Sequence, residues 1–343
     1  MRILLLAGSY PPESGGIAQF MHSFVRSLTA KGIGVEVIGN PKLPQRGYLR
    51  RTEICRELVL DRLHGGKFDR VVASSWSPYA VRLPEPFDVF CHGMDLLEPS
   101  GSLRYRMVMK RTLHHAARIL ANSRYTAELA KKFGARAENV RILYPGVDCE
   151  RFRPPVQRST ESIILSVGRL VARKGFDMII RALPRLVKQI PNVSYWCVGH
   201  GPDRDRLQQL ALDLKVSERI RWFGEVDESE KARLYQSAAL FAMPNRITES
   251  DRSVEGFGIV FLEAGACGLP VIGGNSGGTA DAIVDGETGY LVDPIDIDAL
   301  TQRLLTLLNN ADMRQRLGDA GRRRVMAEFR EDQISDRYLD WLA

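Results

Sequence analysis

Two carboxylates stand eight positions apart in Glu255-Gly-Phe-Gly-Ile-Val-Phe-Leu-Glu263, where glycines precede an apolar helical run. The pattern places Glu255 in a loop and Glu263 on the helix that follows. Gly256 and Gly258 leave the backbone bare at the helix start, where free N–H groups and the helix dipole favour phosphate or sugar oxygens. A carboxylate on this helix can accept two ribose hydroxyls, and the loop carboxylate can meet a transferred group. The alternative is an ordinary capped helix with two solvated acids.

A second segment, GRLVARKG (168–175), carries cations just after a predicted strand. Arg169 can bind phosphate oxygens with its planar guanidinium, and Lys174 adds a point charge. Such a pair is a usual means of stabilising a departing diphosphate. An ordinary basic loop is the alternative.

Glycines also mark the first turn between strand and helix, at Gly15 and Gly16. Glycine there allows close approach of the backbone, and the next helix presents its positive end. The turn has no G-x-G-x-x-G, so the nicotinamide fingerprint is not met. The later Gly199-His200-Gly201 precedes a proline, which is typical of a turn.

The sequence Asp296-Ile-Asp298 has the spacing of two metal-ligating carboxylates. It stands just before a helical run, so we interpret Asp296 as a helix cap and predict no metal site.

Short apolar runs that alternate with helical patterns must position these residues. Runs of this kind predict parallel sheets covered on both faces. They are found at 2–7, 35–39, 70–74, 88–92, 118–122, 140–144, 162–168, 194–199, 219–224, 240–244, 270–274 and 289–293.

The length of 343 residues predicts two domains. The Pro-rich polar stretch 151–162 divides the alternation, so we expect one doubly wound domain over 1–155 and a second over 156–325. A C-terminal helix at about 326–343 is expected to pack back on the first domain. Two such domains predict a central ligand cleft.

Composition excludes several classes of protein. The chain is 44% hydrophobic and 26% charged, as globular proteins are. It contains no apolar window of membrane-spanning length and no signal-peptide pattern. Its five cysteines include no C-x-x-C pair, which is typical of buried thiols in a reducing compartment and predicts a cytoplasmic protein.

Charge is distributed unevenly. Residues 1–155 hold 24 Lys and Arg against 14 Asp and Glu, whereas the remainder holds 24 against 27. This asymmetry indicates an anionic partner for the first half, or else ordinary solvated arginines. The chain lacks a zinc finger, an RNP-like strand and a recognition helix module, so we expect no nucleic-acid partner.

One stretch of the first half combines cations with apolar residues. The segment from Ser102 to Arg111 contains four cations beside Leu103, Met107, Val108 and Met109, and a second basic patch comprises Arg46, Arg50 and Arg51. Cations with shallowly inserted apolar side chains bind anionic membranes, so we predict peripheral membrane association. The alternative is that residues 107–109 pack inward.

Taken in order, these motifs resemble glycosyltransferase family 4. The resemblance rests on Gly-Gly after the first strand, HG at 92–93, PGVD at 145–148, VGRL and RKG at 167–175, VGHGP at 198–202, E-x7-E, GLPVI and DGETGYLV. It implies the GT-B fold and a retaining transferase that uses a nucleotide sugar. The donor helix is similar to that of bacterial phosphatidylinositol mannosyltransferases, which implies a glycan or lipid-linked acceptor.

The resemblance also assigns roles to residues. Glu263 would hold the donor ribose, Arg169 and Lys174 the diphosphate, and Glu255 and His92 would face the sugar, although His92 could instead be a buried strand end. Gly16, beside Gly15, would close over the diphosphate. Backbone contacts to phosphates and sugar would come from Phe257, Gly258, Ile259 and Val260. Many members read GG-x-P-E where this chain has Gly-Gly-Thr-Ala-Asp at 277–281, so the role of that loop is open.

The resemblance further implies a metal-independent reaction, in which the acceptor hydroxyl attacks from the front face and the departing phosphate takes its proton.

For the base, Glu228 lies two residues after Val226, where relatives that use GDP-sugars carry an acid. A carboxylate can accept both N1–H and the exocyclic amine of guanine, so we favour GDP-mannose over UDP-glucose. A UDP-sugar glucosyltransferase and a two-domain nucleotide-sugar epimerase are the alternatives.

Overall fold

A computed structural model of the chain describes residues 1–11, 13, 15–39, 48–66, 68–78, 80, 81, 83, 84, 86–97, 103–248 and 253–342, with only the backbone for 48–51. The chain forms two compact units. The first unit comprises Met1–Gly146 and Glu331–Ala343, and the second comprises Val147–Arg330. The division therefore follows Gly146, whereas the sequence placed it near residue 155.

The first unit is a parallel six-stranded sheet flanked by helices. Its strands are β1 (Arg2–Ala7), β2 (Gly34–Gly39), β3 (Arg70–Ala73), β4 (Phe87–Cys91), β5 (Arg118–Ala121) and β6 (Val140–Ile142). Its helices before the division are α1 (Gly16–Ala30), α2 (Tyr48–Gly65), α3 (Met94–Leu97), α4 (Leu103–His115) and α5 (Arg124–Lys132), with a 3₁₀ turn at Ala137–Asn139.

The second unit is also a parallel six-stranded sheet flanked by helices. Its strands are β7 (Ile163–Val167), β8 (Ser194–Val198), β9 (Ile220–Gly224), β10 (Leu240–Met243), β11 (Val271–Gly274) and β12 (Gly289–Val292). Its helices are α6 (Phe176–Gln189), α7 (Arg204–Asp213), α8 (Glu228–Ser237), α9 (Ile259–Ala266), α10 (Thr279–Ala282), α11 (Ile297–Asn309) and α12 (Ala311–Glu328), with 3₁₀ turns at Ala172–Lys174 and Ser217–Arg219.

Helix α13 (Gln333–Asp340) returns to the first unit and contacts α1. Polar contacts hold it there. The Ser27 and Ser335 hydroxyls lie 2.6 Å apart, and the buried Tyr338 hydroxyl donates to Asp88 Oδ2 at 2.7 Å. Burial raises the pKa of Asp88 even though Tyr338 and Arg118 oppose the shift.

The two sheets differ in strand order. The first runs β2-β1-β3-β4-β5-β6, and the second runs β12-β11-β10-β7-β8-β9. The order reverses between β1 and β3 in the first unit and between β7 and β10 in the second. In open parallel sheets such a switch point is where loops beyond the strands leave a crevice for ligands.

The predicted α/β class with two doubly wound parallel sheets is confirmed. Each predicted apolar run overlaps one of the twelve strands, because strands covered on both faces need apolar residues at successive positions. The central strands of both sheets, such as β4 and β10, are buried along their whole length.

Candidate active site

The switch point of the second unit is formed by the loops that follow β7 and β10. The first loop begins at Gly168 and carries both predicted phosphate-binding cations, and the second leads to Glu255. The fold therefore brings together two motifs about 80 residues apart in sequence.

Lys174 and Glu255 form an ion pair across this switch point, with 2.6 Å between Nζ and Oε2. Both side chains are mostly buried, so the pair is weakly screened by solvent. Gly175 allows this approach, because its φ is +74° and a Cβ there would lie 2.2 Å from the Pro244 carbonyl oxygen. Only glycine lets the two loops pack so closely.

Arg169 is exposed on the same loop, and within the described part of the chain it has no carboxylate partner. Its neighbour Leu170 is fixed through the backbone, since its N–H donates to the His200 carbonyl at 3.0 Å and its carbonyl accepts from Asp203 at 3.1 Å. The Gly199-His200-Gly201 segment thus supports the cationic loop. Arg169 is available to an anion.

The backbone around Glu255 is held by the glycine loop at 277–281. The Gly278 N–H donates to the Glu255 carbonyl at 2.9 Å, and a Cβ on Gly277 would lie 2.3 Å from that oxygen. Although the loop lacks the Pro-Glu of many relatives, its two glycines fit closely against the carboxylate-bearing segment.

Helix α9 begins directly after Gly258, which has a φ of +95° and provides no side-chain cap. Its first residues, Ile259 and Val260, are half-buried, and the preceding Phe257 is buried. The Phe261 N–H donates to the Gly258 carbonyl at 3.0 Å. The N–H groups of Ile259 and Val260 stand before it at the helix start, where they can donate to an anion or to sugar oxygens.

Glu263 lies on α9 and is 0% exposed. Its Oε1 accepts from Lys231 Nζ at 2.9 Å, and its Oε2 accepts from the Tyr235 hydroxyl at 2.9 Å. The alternative of a solvated acid is therefore wrong for Glu263, because α8 covers it.

Lys231 also pairs with Glu228, with 2.8 Å between Nζ and Oε1. Burial alone would lower the pKa of Lys231, but Glu263 and Glu228 raise it above its usual value. Glu228 Oε2 is buried, accepts no hydrogen bond from the described residues and lies 3.7 Å from Arg151 Nη1. Val226, two residues before Glu228, is half-buried in the loop between β9 and α8.

Sequence reasoning missed Lys231 and Tyr235. With Glu228 they stand at positions i, i+3 and i+7 of α8, which lie on one face of a helix. This helical spacing could have indicated that the three side chains lie together. It could not have indicated that Lys231 and Tyr235 contact Glu263, since Glu263 lies on another helix.

In the first unit, Gly15 and Gly16 stand at the start of α1, and both are exposed. Gly15 has a φ of +126°, and a Cβ would meet no atom of the described residues within 4 Å. Glycine is therefore required at this position by the backbone conformation rather than by packing.

His92 follows β4 and is buried against Phe90, whose ring is stacked at 6.1 Å. Its Nε2 lies 2.8 Å from the Ser74 carbonyl oxygen, which requires the proton on Nε2 and leaves Nδ1 as an acceptor. Burial lowers the pKa of His92, and the Asp95 carboxylate and the Ser74 carbonyl only partly oppose the shift. A neutral imidazole with a free acceptor can bind a hydroxyl.

Asp296 caps α11, since its side chain accepts from the Ala299 N–H at 2.9 Å, as the sequence predicted. Asp298 pairs with Arg185. The part of the chain that the structure describes contains no cluster of three or more His, Cys, Asp or Glu side chains placed to hold a metal ion.

Helix α4 presents a cationic face. Arg104, Arg106, Lys110 and Arg111 are all exposed, and Leu103 and Met107, which are 73% and 58% exposed, lie among them. Met109 is 0% exposed and Val108 is half-buried against the core, so their predicted exposure is wrong. A helix turns about 100° per residue, so Met109 points inward when Met107 points outward.

The structure describes little of the second predicted basic patch, which comprises Arg46, Arg50 and Arg51. Arg46 and Ser102 lie outside the described residues, and the side chains of Arg50 and Arg51 are not among those described. Among the helices described, none combines the length and the apolar character needed to cross a bilayer.

Comparison with known proteins decides the family. Residues 149–324 match the model for "Glycosyl transferases group 1", and residues 14–151 match the model for "Glycosyltransferase Family 4". The chain belongs to glycosyltransferase family 4. It is a hexosyltransferase, as the sequence predicted.

Relatives of this family 4 glycosyltransferase include two named enzymes. One is a GDP-mannose-dependent alpha-(1-6)-phosphatidylinositol monomannoside mannosyltransferase from Mycolicibacterium smegmatis, 39% identical over 93% of this chain and 92% of the relative. A Mycobacterium tuberculosis protein of the same name is 29% identical over 99% of this chain and 98% of its own.

Among solved structures, sucrose-phosphate synthase from Thermosynechococcus elongatus superposes with a TM-score of 0.83 at 22% identity, covering 99% of this chain and 98% of that one. This likeness supports the GT-B fold. The named relatives are transferases, which favours glycosyl transfer over the epimerase alternative.

Proposed function

We propose that this enzyme transfers mannose, with retention, from GDP-mannose to a hydroxyl of a lipid-linked acceptor of the phosphatidylinositol mannoside class. The observation that carries the proposal is the Lys174–Glu255 pair at the switch point of the second unit. It places a cation and a carboxylate together where the loops beyond parallel strands bind ligands. The 39% identical relative, named for GDP-mannose and that acceptor class, supports the choice of substrates.

In this proposal the second unit binds the donor. Arg169 and Lys174 neutralise the diphosphate, and the backbone N–H groups of residues 257–260 bind phosphate and sugar oxygens. Glu255 faces the sugar, and Glu263 accepts the ribose hydroxyls. The close approach of Lys174 to Glu255 supports a diphosphate and a sugar held side by side.

The base is read by Glu228, beside Val226. Its Oε2 is a buried acceptor that receives no hydrogen bond from the described residues. Guanine offers two adjacent N–H groups to such a carboxylate, whereas uracil does not. Glu228→Gln is therefore expected to reduce the preference for GDP over UDP in calorimetric titrations. A wild type that binds UDP much more tightly than GDP would reverse this assignment.

The chemistry proceeds by front-face attack. The acceptor oxygen bonds to the anomeric carbon while the bond from that carbon to the diphosphate oxygen breaks. The acceptor proton passes to the departing phosphate, so GDP leaves and no base residue is needed. Arg169 and Lys174 supply the positive charge that the leaving group requires, so we expect no metal dependence.

The first unit contributes neutral contacts in this proposal. Gly15 and Gly16 leave the exposed start of α1 bare for a phosphate group, and His92 can accept a hydrogen bond from a sugar hydroxyl at Nδ1. The neutral state of His92, favoured by its burial, suits this role.

The cationic face of α4 would dock the enzyme on an anionic leaflet at the inner face of the cytoplasmic membrane. Basic side chains near such a surface gain about 1 kcal/mol each, and exposed Leu103 and Met107 can insert shallowly. A lipid-linked acceptor would be reached from that position.

The test is a transfer assay with radiolabelled GDP-mannose, UDP-glucose as competing donor, and phosphatidylinositol monomannoside or phosphatidylinositol in mixed micelles. We expect mannose in the lipid fraction with GDP-mannose and the monomannoside. Transfer from UDP-glucose alone would contradict the donor assignment. Isomerised sugar in the absence of any acceptor would favour the epimerase, and unchanged transfer in excess chelator would support metal independence.

A further inference from the structure

Arg246 joins the two loops at the switch point of the second unit. It lies in the loop after β10, and its backbone N–H donates to the Arg173 carbonyl at 2.8 Å. Its guanidinium Nη2 donates to both carboxylate oxygens of Asp177, at 3.0 and 3.1 Å. Asp177 lies in the first turn of α6, and both side chains are mostly buried. The ion pair therefore fixes the start of the β10 loop against the segment that contains Lys174.

The β10 loop returns to the same segment at its other end. Thr248 and Ser253 exchange two backbone hydrogen bonds, at 3.1 and 3.2 Å, which pair the two sides of the loop. Glu255 follows and forms its ion pair with Lys174. Both ends of the loop are thus held by residues 173–177.

A cation binds a phosphate most strongly where its position is fixed in advance. Lys174 is a point charge on a flexible side chain, so the surrounding backbone must set where it stands. Gly175 has no side chain with which to hold its contact with Pro244. The ion pair that holds the two loops together stands two residues further along each of them, at Asp177 and Arg246.

We infer that Arg246 is a positioning residue for the donor diphosphate: its ion pair with Asp177 holds the two loops in the arrangement that places Lys174 at the diphosphate. The inference rests on the proposed function, which assigns the diphosphate to this site. It predicts that breaking the pair from either side weakens recognition of the second phosphate specifically.

The test compares GDP with GMP, which lacks the second phosphate, by calorimetry. For Arg246→Gln and for Asp177→Asn we expect the preference for GDP to fall about fivefold to tenfold, because Lys174 loses its fixed position. The affinity for GMP should change less than about twofold. The double variant should lose no more of the preference than either single variant, since both changes break the same contact.

Asp177→Asn separates positioning from a direct effect of charge. Arg246 Nη1 and Arg173 Nε are buried atoms that donate no hydrogen bond to the described residues, so this cluster carries positive charge that could itself attract a phosphate. Removal of a carboxylate would then raise the preference for GDP, whereas loss of positioning lowers it. An unchanged or raised preference in Asp177→Asn would therefore overturn the inference. This variant also decides the question if Arg246→Gln does not fold.

Arg314→Gln is the matched control. Arg314 is half-buried in the same unit, and its guanidinium Nη1 donates to the Leu307 and Leu308 carbonyls, at 2.7 and 2.8 Å, rather than to either loop. Arg246→Gln and Arg314→Gln each lose two guanidinium hydrogen bonds, so their thermal unfolding is expected to shift by similar amounts. Arg314→Gln should keep the wild-type preference for GDP, and an equal loss there would show a general structural effect and overturn the inference.

The outcomes separate the inference from the proposal beneath it. If wild type prefers GDP to GMP and Arg246→Gln keeps that preference, or weakens both ligands equally, the inference is overturned alone. If wild type binds the two ligands equally, the assignment of the diphosphate to this site fails and the inference fails with it. A selective loss for GDP in both Arg246→Gln and Asp177→Asn supports both.

Discussion

The switch points of the two units differ in charge. In the second unit, Gly175 lets two loops pack closely, because a Cβ there would clash with the Pro244 carbonyl. Lys174 and Glu255 form an ion pair across these loops. In the first unit, the corresponding region offers exposed Gly15 and Gly16, and the buried histidine after β4 is held neutral. Similar parallel sheets therefore differ at these places: the second unit has a mostly buried ion pair, and the first has bare glycines and a buried imidazole whose pKa is lowered.

Charge in the first unit is found elsewhere. The exposed cations of α4 surround Leu103 and Met107, on a helix whose other face packs into the core through Met109. The excess positive charge of the first half is thus presented partly on this surface helix. The net charge of a unit therefore does not indicate the charge at its switch point.

The largest effect is expected at the charged switch point. Lys174→Met should lower kcat by about 10²–10³, because one preorganised charge at a developing diphosphate is lost. Steady-state transfer assays check this, with the exposed Lys188→Met in the same unit as control. Near wild-type turnover in a folded Lys174→Met protein would show that the pair has only a structural role.

Neutralising the α4 surface should have the next largest effect. Removing two cations with Arg104→Gln and Lys110→Gln is expected to weaken binding to anionic vesicles by about 30-fold, at about 1 kcal/mol per charge. The matched control is Arg181→Gln with Lys188→Gln, two exposed cations on α6 of the second unit. Binding that ignores lipid charge and persists as salt rises would exclude the electrostatic account.

The smallest expected effect is the contribution of His92 to the pH dependence of the unfolding free energy. The native pKa of His92 is lowered, so the unfolded chain takes up a proton below about pH 6.5 that the native state refuses. The free energy of unfolding therefore keeps its full value above that pH and decreases as pH falls, and His92 contributes a slope of at most about 1.4 kcal/mol per pH unit.

His92→Gln should therefore flatten the dependence of unfolding free energy on pH between 7 and 5. Denaturant unfolding at several pH values measures it, with the exposed His22→Gln in the same unit as control. Identical slopes for wild type and His92→Gln would show that His92 titrates normally.

Much of the fold could be predicted from the sequence because the strands are continuous apolar runs. VGRL and RKG around 167–175 and E-x7-E at 255–263 also indicated which loops carry charge. The contact between them required the strand order, since Lys174 meets Glu255 only because β7 and β10 are neighbours.

The remaining features depended on packing that no local pattern records. Met107, Val108 and Met109 are adjacent and chemically alike, yet the turn of the helix separates an exposed from a buried methionine. Tyr235 and Lys231 belong to a polar helix whose sequence resembles a solvated one, and their partner lies about 30 residues away on α9.

The central claim is that the charged switch point of the second unit binds the donor diphosphate. Calorimetric titration of GDP and GMP into wild type and Arg169→Met tests it most directly, since the ligands differ by one phosphate. We expect wild type to prefer GDP by about tenfold or more, and Arg169→Met to lose most of that preference. Equal affinity of wild type for GDP and GMP, or a preference that Arg169→Met retains in full, would contradict the claim.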